Sequence, residues 1–246
     1  MLEVCMGFGI ALTIGLSGVG GGTLTAPVLI LALGLHPEIA VGTALLFSIF
    51  AKIPAGLVYL RQGHVSFPTL RQMLVGGLPA VIAGTLLLGS LKDQKGLILF
   101  WVGITILLCA LINLGLTLWK NATPGRFGFP VTALGAGFIG LEVGFSSAGA
   151  GALGTLLLVS GTQLAPAAVV GTDIWFGLVL SLVGGGLHAT LGQFDLALLV
   201  KLAAGGLVGS WMGAFLASYV PRKPFKLGLL LWLMFVGSNL VYKSIR

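Results

Sequence analysis

Ser17-Gly18-Val19-Gly20-Gly21-Gly22 (SGVGGG) interrupts an apolar run from 4 to 34, and SSAGAG at 146–151 interrupts another from 129 to 162. A bilayer-spanning helix needs ~20 mainly apolar residues, so each run is too long for one span. Glycine costs about 1 kcal/mol relative to alanine inside a helix, which makes both clusters helix breaks. Six further apolar segments, at roughly 38–60, 67–90, 95–119, 166–190, 194–220 and 225–242, each have the length of one span. The expected fold is an all-α polytopic membrane protein.

Composition points the same way. Of 246 residues, 57% are hydrophobic and 8% charged, with 40 glycines; a soluble domain is about a quarter charged and ~7% glycine. Six Asp/Glu and thirteen Lys/Arg cannot cover a soluble sphere of this size. That excludes a cytosolic enzyme, a nucleic-acid binder and a secreted disulfide scaffold. The net charge of +7 sits mostly between apolar segments, where lipid headgroups and the inside-positive bias account for it. Cys5 and Cys109 define neither a metal spacing nor a disulfide framework. Glu3 stands where a signal peptide would be basic, and no cleavage-like site follows.

The two breaks belong to an internal repeat. A shift of 129 residues aligns Ser17, Gly20 and Gly22 with Ser146, Gly149 and Gly151, and Pro37, Gly42 and Thr43 with Pro166, Gly171 and Thr172. Gly56, Gly63, Gly76, Gly77 and Gly84 likewise match Gly185, Gly192, Gly205, Gly206 and Gly213. Between 15 and 84 roughly 19 of 70 positions are identical without a gap, a level that duplication explains. The expected organisation is a first transmembrane repeat at 1–120, a linker at 121–129 and a second repeat at 130–246. Each repeat has a glycine-broken first segment and three further transmembrane helices. Straight passage through each break would make the halves parallel; a turn back at the glycines would make them inverted. Half-segments of about 13 residues, ~20 Å as helix, are too short for a ~30 Å core, which favours the re-entrant, inverted arrangement. Loop charges do not separate the two, since both give about 7 basic residues against 5. With hairpins the richer side holds Arg61, Arg71, Lys120, Arg126, Arg222, Lys223 and Lys226, which places it in the cytoplasm.

Irregular backbone at membrane depth survives only where protein or a watery cavity satisfies it. Half-helix N-termini expose amide N–H groups, and the macrodipole there favours an anion. Ser17, Gly18, Gly20, Gly21 and Gly22 in the first break, with Ser146, Ser147, Gly149 and Gly151 in the second, are therefore the expected substrate-binding residues. Glycines that merely permit close helix packing are the competing explanation, and it suffices for pairs such as Gly205/Gly209 and Gly209/Gly213. A phosphate-loop reading fails, because the GK[ST] ending and the strand–helix context are missing.

The glycine cluster followed by TLTAPVLI (23–30), the AVGTALLFSIFAKIPAGLVY stretch (40–59), the G-H-V turn at 63–65 and their echoes in the second half resemble the TauE/SafE sulfite-exporter family. The resemblance covers essentially the whole chain. It implies a membrane permease for sulfite, organosulfonates or related small anions, with the repeated motifs near the transport path. The second copy departs from the first at Ala150, opposite Gly21, and at Leu156, opposite Pro27.

Thr43 and Thr172 follow glycines at equivalent places, and their hydroxyls can donate to an anion without adding fixed charge; a bond to a carbonyl one turn back is the alternative. Lys52, Glu142 and Asp173 lie within spans, where ionisable groups are expensive and face a cavity or one another. Their equivalents are Ser181, Thr13 and Ala44, so these charges break the repeat. Lys52 is the candidate for attracting an anion; Glu142 and Asp173 are the candidates for proton coupling. A self-neutralising pair or a snorkelling lysine is the alternative. His188 falls near a helix end, as an interfacial histidine or a proton relay.

The expected function is a secondary transporter, an exporter of a small sulfur-containing anion, working by alternating access between two repeats. An anion channel and a non-transporting membrane subunit are the alternatives from other classes. A Ser–His intramembrane protease built on GFSS at 144–147 with His188 is disfavoured, because Ser17 repeats the serine while Tyr59 stands opposite the histidine. No ATP-binding or metal signature is visible and no cofactor is expected. The expected partners are the anion, membrane lipid and a second copy, since a homodimer supplies the lipid-excluding surface that small bundles often need; nucleic acid is not among them. The expected location is the cell membrane.

Overall fold

The computed structural model describes residues 1–246 except 18–20, 92–93, 119–124, 152, 217–221 and 246. The described residues form ten helices: α1 (Leu2–Ser17), α2 (Gly21–Leu33), α3 (Pro37–Arg61), α4 (Phe67–Ser90), α5 (Lys95–Leu118), α6 (Phe129–Ser146), α7 (Leu153–Gly161), α8 (Pro166–Thr190), α9 (Leu196–Leu216) and α10 (Arg222–Ile245). Seven of them are long and apolar enough to cross a membrane. Proline opens or nearly opens α3, α4, α6 and α8, where its missing N–H costs no helix bond. Gly63 (φ +71°) and Gly192 (φ +70°) follow the ends of α3 and α8. The 129-residue offset read from the sequence thus separates both ends of α3 from those of α8, the starts of α4 and α9, and these two turns.

Glycine contacts fix the direction of each helix. Backbone meets backbone where Gly205, Gly209 and Gly213 of α9 lie on Val4, Phe8 and Leu12 of α1, so α1 and α9 run parallel. Gly76 and Gly84 of α4 lie on Ala133 and Leu141 of α6, again parallel. Helices α3 and α8 run antiparallel: Ser48 meets Ser181, Lys52 meets Gly177, and Gly56 packs beside Ile174. Helix α4 is parallel to α8, with Gly77 beside Phe176 and Gly184 beside Val81. Since α6 and α8 both run with α4, the chain must come back between them, and α6–α7 is a re-entrant hairpin. The opposed directions of α3 and α8 put the two halves in inverted orientation. One face of the bundle, the terminal face, carries the turns at 34–36 and 191–195. The other, the loop face, carries 62–66, 125–128 and 162–165. The first arms of the hairpins are longer than the sequence suggested, 16 residues in α1 and 18 in α6. No glycine interrupts them before the break that the packing requires to turn.

Close approach explains much of the glycine content. A Cβ at Gly76, Gly140, Gly205 or Gly209 would fall on a carbonyl of the facing helix. In lipid, where helices gain little from hiding apolar side chains, such contact is the main source of association. The outer surface presents Leu86, Trp101, Leu134, Phe138, Val200, Trp211 and Phe235, side chains suited to hydrocarbon rather than water.

Gly209→Leu should therefore force α1 from α9 and cost about 1–3 kcal/mol or more. Gly186, whose Cβ would meet nothing within 4 Å, should accept alanine neutrally or gain up to about 1 kcal/mol. Thermal unfolding of the two variants in detergent measures the contrast.

Candidate functional site

The two glycine clusters meet at their described residues, the start of α2 against the end of α6. A Cβ on Gly22 would fall on the Ser147 carbonyl oxygen, and Ser147 Oγ donates to the Gly22 carbonyl at 3.1 Å. Gly21 rests beside Ser48 at the α3–α8 crossing. Ser147 ends α6 in the left-handed conformation (φ +59°), the one such non-glycine among the described residues, and its N–H bonds the Val143 carbonyl at 2.9 Å. Gly149 (φ +90°) and Gly151 (φ +101°) carry the chain back toward α7. Gly18 and Gly20 lie outside the described residues, as does the side chain of Ser17.

Each intramembrane charge is buried, and each has a different setting. Lys52 is 8% exposed. Its Nζ donates to the Gly177 carbonyl at 3.1 Å and to Ser181 Oγ at 3.2 Å, and Ser181 Oγ lies 2.8 Å from Ser48 Oγ. Among the described residues neither Glu142 nor Asp173 forms an ion pair with it. A hydrogen-bonded chain, Lys52–Ser181–Ser48, therefore leads from the ammonium to the side of Gly21.

Glu142, on α6, is held by Ser146 Oγ at 3.0 Å from Oε1, by Cys109 Sγ at 3.6 Å from Oε2, and by Thr105. Gly149 lies against its Oε2, where a Cβ would collide. Asp173, on α8, faces the start of α7: Thr155 Oγ1 donates to its Oδ2 at 2.6 Å, and the amides of Gly151 and Thr155 lie beside it. Gly154 is packed against Oδ1, which completes no hydrogen bond. Thr155 also lines a cleft of about 570 Å³ between α7 and α8, opening beside Gln163 at the loop face. Arg126 donates to Gln163 there at 2.8 Å. Arg61 and Arg71 stand at the same face, whereas Glu3, Glu38 and Asp195 belong to the terminal face.

Other candidates do different work. Thr43 Oγ1 accepts the Asp195 N–H at 3.0 Å, and Thr172 Oγ1 accepts the Ser66 N–H at 2.9 Å. These equivalent bonds tie each loop to the opposite half. Nothing in the threonines' own neighbourhood announces partners 152 and 106 residues away. His188 is fully buried rather than interfacial, because the end of α6 and the 191–195 turn close over it. Its Nε2 donates to the Gly144 carbonyl at 3.2 Å, and Nδ1 lies 2.7 Å from the Gln193 side chain. That carbonyl is free because the Ala148 N–H turns instead to Ser146 Oγ. Ser146 lies on Glu142 and Ser147 on Gly22, so neither serine is paired with His188. Sequence reasoning missed Ser48, Thr155 and Cys109, whose roles depend on helices that only packing brings together.

A lipid-facing helical bundle with two breaks in contact at its centre, bordered by buried charges, belongs to the class of polytopic membrane transporters. The Sulfite exporter TauE/SafE family matches residues 4–240, and the chain belongs to that family. It is similar to the Probable membrane transporter protein YjnA of Bacillus subtilis (strain 168), 27% identical over 97% of this chain and 98% of that protein. It is similar also to the Probable membrane transporter protein YunE of the same organism, 24% identical over 96% of this chain and 95% of that protein. No solved structure gives a significant match. The protein is a multi-pass protein of the cell membrane, in a family of membrane transporters.

Gly149→Ala should destabilise by about 1–3 kcal/mol through backbone strain, and more through collision with the Glu142 carboxylate. Removing that carboxylate with Glu142→Ala should recover the collision part alone. A double-mutant cycle on thermal unfolding should therefore be non-additive, and strict additivity would mean that the two groups do not touch.

Proposed function

We propose that this protein is a secondary transporter, an exporter of sulfite, an organosulfonate or a related small sulfur-containing anion, that works by alternating access between its two halves. The contact between the breaks at Gly22 and Ser147 carries this reading. Half-helix N-termini there can offer amide donors to an anion without a fixed charge that would hinder release. Gly18, Gly20, Gly21, Gly22, Gly149 and Gly151 let a ligand approach the backbone, and Ser17, Ser146 and Ser147 supply hydroxyls along the path, while Thr43 and Thr172 hold the loops of the two halves in place. Lys52 supplies positive potential beside the crossing. Described cations without matching carboxylates at the loop face, Arg61, Arg71 and Arg126, would concentrate anions at that entrance, which we assign to the cytoplasm. The protein would then export with the inside-negative potential, worth ~2.3 kcal/mol per charge per 100 mV.

Glu142, Asp173 and His188 are the candidates for proton coupling in this scheme. No catalytic step is assigned to any residue. A homodimer would cover part of the apolar exterior.

Purified protein in liposomes should carry labelled sulfite, and unlabelled sulfite on the far side should accelerate the exchange. Flux without trans-acceleration would indicate a channel, and no flux of sulfite or any small sulfonate would end the substrate assignment. Lys52→Met should lower transport at least tenfold, with Lys52→Arg retaining more. Glu142 and Asp173 drop out of the coupling scheme if Glu142→Gln and Asp173→Asn leave the pH dependence of flux unchanged.

A further inference from the structure

The two half-helix N-termini are filled differently. Helix α7 begins against Asp173: the Gly151 and Thr155 amides lie beside that carboxylate, Thr155 Oγ1 donates to it, and Gly154 is pressed onto it. An anion at a helix N-terminus is what the macrodipole and the unbonded amides of a first turn call for, and here the chain provides its own. Among the described residues, helix α2 has no such group. The residue 129 positions before Asp173 is Ala44, fully buried in α3, and α3 packs along α2 as α8 packs along α7. At the start of α2, Thr23 is 1% exposed, and its Oγ1 has no hydrogen-bond partner among the described residues. A buried hydroxyl left unpaired costs ~1–3 kcal/mol, so an orphan there marks a place where something else supplies the partner. Gly21, two residues earlier, rests on Ser48, the end of the chain of bonds from Lys52 through Ser181.

We infer that the substrate oxyanion binds at one break only, at the start of α2, on the Gly21–Thr23 amides and the Thr23 hydroxyl, with Lys52 behind it through Ser181 and Ser48. Asp173 is the resident anion of the twin position at α7 and keeps substrate out of it. This inference rests on the transporter reading above and chooses between the breaks that the reading treats alike. It also gives a reason for the asymmetry of the buried carboxylate: Asp173 at both positions would leave no room for a ligand, and alanine at both would offer two competing sites.

The test uses the whole protein in detergent and in liposomes, with sulfite as the probe, read by its stabilisation against heat and by flux. Thr23→Val should weaken sulfite binding about tenfold or more, the loss of one hydrogen bond to a charged ligand. Thr155→Val, the matching change at α7, should leave it within about twofold. Ala44→Asp should abolish sulfite binding by placing a carboxylate where α7 already has one, while Ala44→Asn controls for bulk. If Ala44→Asp does not fold, the comparison of Thr23→Val with Thr155→Val decides alone. Equal loss in those two variants, or loss in Thr155→Val only, overturns the one-sided site while the transporter reading stands. A wild-type protein that neither binds nor moves sulfite or a sulfonate defeats the transporter reading itself.

Discussion

A helix that stops inside a membrane leaves amides and carbonyls that hydrocarbon cannot bond. The rest of this structure depends on where those groups go. At the second break the answer is internal: Ser147 reaches across to the Gly22 carbonyl, His188 takes the Gly144 carbonyl, and Ser146 takes the Ala148 N–H. Each partner comes from a different segment, so the break is stable only when α2, α6 and α8 are docked together. The glycine contacts of α1 with α9 and of α4 with α6 bring the hairpins close enough for those bonds to form. Packing and polar satisfaction are here one requirement rather than two.

The scaffold obeys the 129-residue offset and the charged groups do not. Thr43 with Asp195 and Thr172 with Ser66 are the same bond made twice, and the turns at Gly63 and Gly192 share one conformation. Lys52 faces Ser181, its own counterpart, across the α3–α8 crossing. A two-fold arrangement would set two lysines there, and two buried ammonium groups at hydrogen-bond distance would repel strongly in a low-dielectric interior. At that crossing a charge can be present only once. Symmetry of the backbone thus makes asymmetry of the side chains necessary.

The spans and the glycine break after α6 were legible because each is written in local composition: runs of apolar residues, a glycine cluster and proline at helix starts. The inversion of the halves was not, because the first arms, read as too short to cross, run to 16 and 18 residues and only helix packing shows which way each runs. The burial of Lys52, Glu142 and Asp173 was legible in composition too, since each lies within an apolar run. Their partners were not. Cys109 lies 33 residues from Glu142, and Gly177 lies 125 from Lys52, separations that no periodicity encodes. Thr43 and Thr172 looked like ligand hydroxyls because a glycine precedes each, yet both glycines serve the passage of backbone: Gly42 under Gln193 and Gly171 under His64. His188 looked interfacial from its place in the last turn of α8. A helix end is a wet place only if nothing folds over it, and here the end of α6 does.

Under alternating access, inverted halves exchange conformations to present the site first to one face and then to the other. If the halves were chemically identical, the two states would be equal in energy apart from the membrane field. Lys52, Glu142 and Asp173 remove that equality, because each stays with its own half when the conformations exchange. The neighbours of Glu142 come from both halves, Cys109 and Thr105 on α5 of the first and Ser146 on α6 of the second; Thr13 occupies the place of Glu142 in the first half. A polar cluster that joins the halves at one place, with no twin at the equivalent place, is formed or opened in different amounts in the two states, and a ligand that neutralises Lys52 shifts the balance only by its difference in affinity between them. In the proposed alternating-access scheme, the single copy of each charge is therefore the physical handle by which an anion would bias a mechanism whose scaffold is the same in both directions.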